Sequence, residues 1–455
     1  MVSTASKDPR WTLESPPEEY KDMIEAEAKC PMNLNEVDLF AAGAQEHWPE
    51  AYEILHEDAP VYRIPGEGTT PDTDGFVISK YADIYDIIRD PITFPQPSYP
   101  GTGEEKPNTG MRKNSSQLSD AMARNTLRPT LELHKQHRIE LTDPWVGNIG
   151  APRHREMVTR FVDQLIDNWI DDGEVDFVGE FAAPLPQFVM TTILGWPLED
   201  LPMLRQWGEA QVRRFVFGQG HRNMMSPEEE QENAEDLGKF MEYVHDQVKY
   251  KRENPGDDMT TFLTQVEYQA MGRKLTDQEV IGVLFGMHIG GLETTQYAIA
   301  AQAELIAQNP EVFAELKADP SKIRFFAEEG MRIHAPTQGL STRMAAKDVE
   351  IRGVKISKGS ILHLRYGAAN LDEEEFENHT EIRLDRPNIG RHMTFSQGIR
   401  VCPGAGISRL EQNIAWEQLT KRLDSLTLAP GKNDLRHQPG IMKGLWALHV
   451  EFTKA

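Results

Sequence analysis

A single cysteine in a glycine-containing loop is the feature that most constrains this chain. Residues 395–404 read Phe-Ser-Gln-Gly-Ile-Arg-Val-Cys-Pro-Gly, and an apolar helix is predicted to begin near Ala405. A cysteine thiolate needs positive charge nearby, which the N-terminus of a helix provides. The glycines let the backbone approach a flat ligand and turn amide groups toward the sulfur. The stretch therefore predicts that Cys402 is an axial thiolate ligand for a haem iron.

The same stretch resembles the haem-binding signature of the cytochrome P-450 family, the haem-thiolate monooxygenases, in its soluble bacterial form. The alternative, an unreactive cysteine in an ordinary loop, does not account for five fixed residue types at the family's spacing. The one departure is Pro403, which removes a backbone N–H that would otherwise point at the sulfur. The five signature positions are filled by Phe395, Gly398, Arg400, Cys402 and Gly404.

The resemblance implies a mainly α fold, a triangular prism with a helix-rich body and small antiparallel β-sheets. It implies one haem-thiolate monooxygenase domain at residues 35–455 after an N-terminal arm at residues 1–34. The cofactor it implies is haem b (iron protoporphyrin IX), and the co-substrate is dioxygen. Since no flavin or nicotinamide domain is recognisable in the chain, electrons are expected from a separate ferredoxin-type iron–sulfur protein with its reductase.

Composition excludes several other classes of protein. The formal net charge of −24 argues against a nucleic-acid partner. The sequence has no run of about 18 apolar residues, so no membrane span is predicted. The polar N-terminus does not read as a signal peptide. Two cysteines do not make a disulfide framework; Cys30 reads as an ordinary thiol, and a reducing, cytoplasmic location is predicted.

A second motif lies in the middle of a long predicted helix. The helix is predicted to start after Thr276, with acidic residues in its first turn, and to end at Asn309 and Pro310. Two adjacent glycines, Gly290 and Gly291, cost roughly 1 kcal/mol each relative to alanine in a helix interior. We expect a threonine hydroxyl to bond back to a carbonyl here, loosening the turn and opening a groove.

Residues 290–295, Gly-Gly-Leu-Glu-Thr-Thr, resemble the acid–alcohol pair of the family. By that resemblance, Glu293 relays protons from solvent and Thr294 holds a water at the haem, since cleavage of dioxygen consumes protons. An ordinary glycine-kinked core helix is the alternative. His288 is off this face and is predicted to be structural. The substrate-pocket residues predicted on this helix are Gly286, Ile289 and Gly290.

Cations around the haem are expected to neutralise its two propionates. The stretch at residues 134–138 places a histidine and an arginine four residues apart, on one face of a helix. Either His134 or His137 fits the first position, and a solvated charged helix face is the alternative. By resemblance, the propionate partners are His134, Arg138, Arg343, His392 and Arg400.

A structural ion pair is expected between the two motifs. Glu329 and Arg332 match the family's Glu-x-x-Arg, which is buried with a third residue, an arginine before the cysteine loop. Arg383 and Arg386 are both candidates for this third position, and Arg386 is preferred. Removing one partner from a buried ion network costs about 3–5 kcal/mol, so its role is in folding.

The remaining pattern indicates short strands and many helices. Long helices are predicted at residues 35–60, 81–89, 157–170, 181–194, 201–217 and 228–251, and strands at 61–64, 76–78, 341–343, 349–351, 354–356 and 360–364. By resemblance, the irregular segment 91–129 closes one side of the substrate pocket, and an ordinary surface loop is the alternative. The helices flanking residues 213–228 resemble the family's lid pair, and residues 337–340 are expected to border the substrate.

The function predicted from these features is insertion of one oxygen atom from dioxygen into a small, mostly apolar organic substrate, by hydroxylation or oxidative demethylation. A peroxide-driven hydroxylase and a non-catalytic haem-thiolate binding protein are the alternatives. The electron donor is expected on the thiolate side of the haem, at a basic patch. Its residues are Lys135, Arg138, Arg400 and Arg409.

Overall fold

The computed structural model describes residues 29–41, 43–70, 72–96, 127, 130–216, 225–339, 341–438 and 442–455. Its α-helices are α1 (Trp48–Asp58), α2 (Tyr81–Arg89), α3 (Leu131–His137), α4 (Asp143–Val146), α5 (Arg155–Asp167), α6 (Pro184–Leu194), α7 (Leu201–Val216), α8 (Pro227–Glu253), α9 (Met259–Gln265), α10 (Asp277–Gln308), α11 (Pro310–Ala318), α12 (Ile323–Ile333), α13 (Tyr366–Asn370) and α14 (Ala405–Arg422). None of these helices is long and apolar enough to cross a lipid bilayer.

Short strands form two small sheets and two hairpins. The strands are β1 (Val61–Ile64), β2 (Gly75–Ile78), β3 (Glu174–Asp176), β4 (Glu267–Tyr268), β5 (Arg273–Lys274), β6 (Ser341–Met344), β7 (Val349–Ile351), β8 (Val354–Ile356), β9 (Ile361–Leu364), β10 (Leu423–Leu428) and β11 (His449–Lys454). One sheet has the order β1-β2-β9-β6 and the other β10-β11-β3. Every pairing is antiparallel except β2 with β9, which runs parallel from Gly75 and Ile361.

The prediction of one helix over residues 35–60 is wrong in its first half. Short 3₁₀ turns at Leu34–Glu36 and Ala44–His47 precede α1, which begins only at Trp48. Gly43 has a φ of 81°, a left-handed conformation that a continuous helix does not contain. The side chain of Asp38 also accepts a hydrogen bond from the Phe40 N–H, which favours a turn over a helix.

Helix α10 lies at the centre of the molecule. As predicted, Thr276 caps its start: Thr276 Oγ1 accepts a hydrogen bond from the Glu279 N–H, and the Glu279 carboxylate accepts one from the Thr276 N–H. Its end lies at Gln308, before the predicted Asn309. The helix packs against α6, α8, α12 and α14, so its middle turns are held in the core beside the segment that carries Cys402.

Buried polar groups join α10 to α14. Thr295 Oγ1 donates to Ser408 Oγ at 3.0 Å, and Trp416 Nε1 donates to Gln302 Oε1 at 2.7 Å. Gln302 in turn donates to Gln412. Because buried polar groups need partners, these bonds fix how the two helices lie against each other. They place the turn containing Thr294 next to the helix that begins directly after the cysteine loop.

Several predicted regions lie outside the described residues. Only residues 91–96 and 127 of the predicted pocket-closing segment belong to the described part, and residues 217–224 between the predicted lid helices do not. Residues 1–28 are also outside it. The boundary between the arm and the domain at residue 34 therefore stays a prediction.

Candidate active site

The cysteine loop is a tight turn that leads into α14. The Cys402 N–H donates to the Phe395 carbonyl at 2.8 Å and closes the loop. Gly398 has a φ of 72°, in the left-handed region that favours glycine, and Ser396 has a φ of 57°. Cys402 is therefore held by the backbone, two residues before the capping residue of α14, Gly404.

The surroundings of the Cys402 thiol favour a negative charge on sulfur only in part. Burial raises the pKa of the Cys402 thiol, whereas hydrogen bonds from the backbone N–H groups of Gly404 and Ala405 and the charges of Arg138 and Arg409 lower it. The amide groups thus turn toward the sulfur, as the sequence predicted. Because burial opposes ionisation in the protein alone, the thiolate needs a further positive charge, such as a metal ion.

An ion cluster that the sequence did not reveal lies beside the loop. Arg409 donates to Glu328 with Nε at 2.6 Å and Nη2 at 2.9 Å, and His392 Nε2 lies 2.8 Å from Glu328 Oε2. Burial raises the pKa of Glu328, but the bonds from His392 and Arg409 outweigh it and lower that pKa to about 2. The Arg409 guanidinium also lies 4.5 Å from the ring centre of Phe395, the first residue of the cysteine loop. The cluster therefore supports the loop through this contact.

The middle of α10 borders open space although most of the helix is buried. A Cβ added to Gly286 or Gly290 would meet no heavy atom of the described residues within 4 Å, and Gly290 is exposed. The helix stays α-helical through this turn, so the predicted loosening is absent. The opening arises instead from the missing glycine side chains. The residues that border it or are half-buried beside it are Gly286, Ile289, Gly290, Glu293 and Thr294.

Two hydrogen bonds orient the acid and the alcohol on α10. Thr294 Oγ1 donates to the Gly290 carbonyl at 2.9 Å, the back-bonding predicted from the sequence. The Glu293 carboxylate accepts a hydrogen bond from the phenol of Tyr297, one turn later. No motif selected Tyr297, although its i,i+4 spacing from Glu293 was visible.

His288 is buried in an aromatic environment, as predicted for a structural residue. Its ring lies 4.7 Å from the Phe240 ring and 5.4 Å from the Trp196 ring. Burial lowers the pKa of His288 to about 3. The imidazole is therefore neutral at ordinary pH and serves in packing.

Arg343 and Arg400 form a pair of cations without a carboxylate among the described residues. Arg343 is buried and donates to Ser341 Oγ and the Thr342 carbonyl, and Arg400 donates to Gln96 Oε1 at 3.3 Å. Burial and then repulsion from Arg343 lower the pKa of Arg400. Two guanidinium groups that repel each other would be stabilised by an added anion, which is what a haem propionate supplies.

Two of the other predicted propionate partners, Arg138 and His392, are already engaged with protein groups. Arg138 lies directly after α3 and forms an ion pair with Asp143 at 3.1 Å, and it donates to the Val401 carbonyl. His392 contacts Glu328, as described above. His134 and His137 are both buried on α3, so the structure does not choose between them. Arg343 and Arg400 are therefore the better candidates for binding the propionates.

The Glu-x-x-Arg pair is fully buried and has the third member that the sequence favoured. Glu329 accepts two hydrogen bonds from Arg332, at 2.8 and 2.9 Å, and two from Arg386 Nε, at 3.0 and 3.1 Å. Arg383 contributes only its backbone N–H to Glu329, and its side chain lies near Asp385. The arginines also donate to backbone carbonyls at residues 370, 377–379 and 381, which fixes the chain leading to the cysteine loop.

The arrangement fits a haem. It combines a thiol faced by amide groups, an unfilled face on α10, and two arginines that repel each other and have no carboxylate partner among the described residues. A cysteine sulfur, an unfilled helix face and two cations match the three chemical parts of a haem, namely its iron, its porphyrin plane and its propionates.

Comparison with known proteins also points to a haem protein. The family profile described as Cytochrome P-450 matches residues 219–443. The polyketide biosynthesis cytochrome P-450 PksS of Bacillus subtilis is 30% identical over 302 residues, 66% of this chain and 71% of that protein. The 6-deoxyerythronolide B hydroxylase of Saccharopolyspora erythraea is 28% identical over 402 residues, 88% of this chain and 94% of that protein.

A solved structure shows the same fold. The cytochrome P-450 BioI, in complex with an acyl carrier protein ligated to hexadec-9Z-enoic acid, superimposes with a TM-score of 0.76. The two sequences are 25% identical, and the match covers 90% of this chain and 99% of the other. The mainly α fold class predicted from the sequence is thereby confirmed.

Proposed function

Because this chain belongs to the cytochrome P-450 family of haem-thiolate monooxygenases, we propose that it inserts one oxygen atom from dioxygen into a small, mostly apolar organic substrate. The reaction is a hydroxylation or an oxidative demethylation. The observation that carries this proposal is the open face of α10, where the half-buried Glu293 and Thr294 follow the unfilled space at Gly290 and the next residue, Thr295, bonds to the helix that begins after the Cys402 loop. A proton-relay pair at the cavity of a haem-thiolate protein is suited to oxygen cleavage and has no role in simple ligand storage.

The residues of the site have separate tasks in this proposal. Cys402 would bind the haem iron through its sulfur, and the Gly404 and Ala405 N–H groups would disperse the negative charge of that thiolate. Arg343 and Arg400 would hold the propionates, and the Arg409–Glu328–His392 cluster supports the loop by packing Arg409 against the Phe395 ring. The Glu293 carboxylate takes up a proton from solvent, and Thr294 Oγ1 fixes the water through which that proton moves.

The cofactor that fits these residues is haem b. Covalent attachment of a c-type haem uses a Cys-x-x-Cys-His stretch, and the two cysteines of this chain, Cys30 and Cys402, do not form one. Non-covalent binding through one thiolate and two propionates matches the groups present. When bound, the haem supplies the binding and reductive activation of dioxygen.

We propose that the electrons come from a separate ferredoxin with its reductase, in the cytoplasm. Of the predicted basic patch, Lys135 is exposed, Arg400 is half-buried, and Arg138 and Arg409 are paired with Asp143 and Glu328. The net charge that the patch offers a partner is thus smaller than the sequence suggests. We therefore expect docking to depend mainly on Lys135 and to weaken as salt increases.

The substrate class is proposed from the chemistry of the cavity and the names of the relatives. One relative acts in polyketide biosynthesis and another is a hydroxylase of 6-deoxyerythronolide B. On this chain, Ile289 and the glycines of α10 offer an apolar, uncharged surface to a substrate. Thr337 pairs with Met442 of the C-terminal loop, of which residues 437–438 and 442–445 are described, and both segments are proposed to border the pocket.

Reconstituted turnover separates the three candidate functions. The purified protein is mixed with a ferredoxin, its reductase, NADH and a ligand that shifts the haem Soret band toward high spin. Product formed in step with NADH consumption supports the proposal. Product formed with hydrogen peroxide but not with NADH favours the peroxide-driven hydroxylase, and a Soret shift without product under either condition favours a binding protein.

Replacing Thr294 by alanine is expected to separate electron use from product formation. Without the hydroxyl the proton-carrying water is lost, so product formed per NADH should fall at least about tenfold, and hydrogen peroxide should rise. Haem content and the substrate-induced Soret shift should not change. Thr294→Ser keeps the hydroxyl and should restore coupling. Equal coupling in Thr294→Ala and the wild type would contradict the assigned role.

A further inference from the structure

Tyr297 joins the acid of α10 to the C-terminal loop, of which residues 437–438 and 442–445 are described. Its side chain is buried, with 4% of its surface exposed. The phenol donates to Glu293 Oε2, and its oxygen lies 2.7 Å from Gln438 Oε1. Glu293 is thus held from the C-terminal side of α10 by the Tyr297 phenol, which has no part in the proposed mechanism.

The single hydrogen of the Tyr297 phenol decides which side chain donates in the contact with Gln438. A phenol carries one hydrogen and cannot donate to both Glu293 and the Gln438 carbonyl oxygen. Gln438 Nε2 is buried and has no hydrogen-bond partner among the described residues. Exchanging the oxygen and nitrogen of this amide, which have nearly the same shape, turns an N–H group toward the Tyr297 oxygen and moves the amide oxygen to the position that has no partner among the described residues. The Gln438 N–H then donates to the Tyr297 oxygen, and the Tyr297 O–H donates to the Glu293 carboxylate.

The C-terminal loop is shaped around the Tyr297 ring. A Cβ on Gly444 would lie 2.1 Å from a carbon of that ring, so only glycine permits the contact. The Gln438 N–H donates to the Gly444 carbonyl at 2.9 Å, and the Lys443 N–H donates to the Pro336 carbonyl at 2.9 Å. The backbone of the loop therefore holds the Tyr297 ring and the Gln438 side chain against each other. This restricts the phenol to one orientation.

We propose that Tyr297 is a positioning residue for proton delivery, an inference that rests on the proposed monooxygenase function. Gln438 and the loop fix the phenol, and the phenol returns the Glu293 carboxylate to one position after each proton transfer. The carboxylate then starts every transfer toward Thr294 from the same place. Through this chain, the C-terminal loop, which is proposed to border the substrate, is joined to the proton donor.

The contact itself is tested by a double-mutant cycle on unfolding in denaturant. Tyr297→Phe should destabilise the wild type clearly and the Glu293→Gln variant by less than half as much, because the charged acceptor is already absent. Equal losses in the two backgrounds would overturn the inference. This measurement needs no turnover, so it is independent of whether the proposed function holds.

The positioning role is tested by coupling, with a matched tyrosine as the control. Tyr243 donates to Asp200 at 2.8 Å, and neither residue is assigned to the site, so Tyr243→Phe removes the same type of bond. Tyr297→Phe should lower product per NADH about threefold or more with an unchanged substrate-induced Soret shift, and Gln438→Leu should act in the same direction. Tyr243→Phe should leave coupling at the wild-type value.

Two results distinguish failure of this inference from failure of the proposed function. Coupling in Tyr297→Phe equal to that of Tyr243→Phe, with a non-additive unfolding cycle, would reduce Tyr297 to a structural role and overturn the inference alone. A wild-type protein with no thiolate-type haem spectrum would overturn the proposed function and the positioning role with it.

Discussion

Cys402→Ser is expected to abolish the haem-thiolate spectrum and more than about 99% of oxygenase turnover. Loss of a group that only supports a metal ligand costs about 10–100-fold in affinity or activity, so loss of the ligand itself should cost more. A serine hydroxyl does not ionise at ordinary pH, so the Gly404 and Ala405 N–H groups would face a neutral oxygen. The reduced, carbon monoxide-treated variant should therefore lack the long-wavelength Soret band of thiolate ligation.

The second cysteine gives a matched control for this substitution. Cys30 lies near the N-terminal end of the described residues, and its sulfur is 4.0 Å from the Pro31 carbonyl. Cys30→Ser should retain the spectrum, the haem content and the turnover of the wild type. If Cys402→Ser kept the thiolate-type band, or if Cys30→Ser lost it, the assignment of the axial ligand would be wrong.

Glu329→Gln is expected to lower the free energy of unfolding by about 3–5 kcal/mol, the second large effect. Glu329 is fully buried and is the shared carboxylate of Arg332 and Arg386. Its neutralisation leaves two buried guanidinium groups facing each other without an anion. Since a domain is stable by only about 5–15 kcal/mol, the variant should be folded but marginal. The midpoint of guanidinium-induced unfolding measures the loss.

Two variants make this result specific to the buried network. Glu315 pairs with Lys322 at the surface, so Glu315→Gln removes a comparable pair in solvent and should change the unfolding midpoint little. Arg386→Lys keeps a positive charge and should destabilise less than Glu329→Gln. A Glu329→Gln midpoint equal to that of Glu315→Gln would show that the network does not stabilise the fold.

Local patterns in the sequence were sufficient for the elements with clear ends. The capping pair Thr276 and Glu279 marked the start of α10, and the apolar spacing of residues 158, 161, 162, 165 and 166 marked α5, which ends at Asp167 before the predicted residue 170. The prediction of a helix at residues 35–47 was wrong because their composition suits a helix, whereas Gly43 and the side chain of Asp38 favour turns. The parallel pairing of β2 with β9 joins residues almost 300 positions apart, and no local pattern indicates such a partner.

In the candidate site, too, residues of one motif could be predicted, whereas contacts between distant segments could not. Residues within one motif, such as Glu293 with Thr294 or Glu329 with Arg332, could be selected because their spacing alone brings them together. Glu328 was not selected, since its role depends on His392 and Arg409, which come from two other segments. Tyr297 escaped notice for the same reason, because its second partner, Gln438, lies 141 residues away. Contacts between distant segments require the folded chain.

The most direct test of the whole account is the carbon monoxide difference spectrum of the purified, reduced wild-type protein. If Cys402 binds a haem iron through a thiolate, the spectrum must show the long-wavelength Soret maximum diagnostic of that ligand. A protein without pigment, or one whose maximum lies at the shorter wavelength of histidine-ligated haem, would contradict the account.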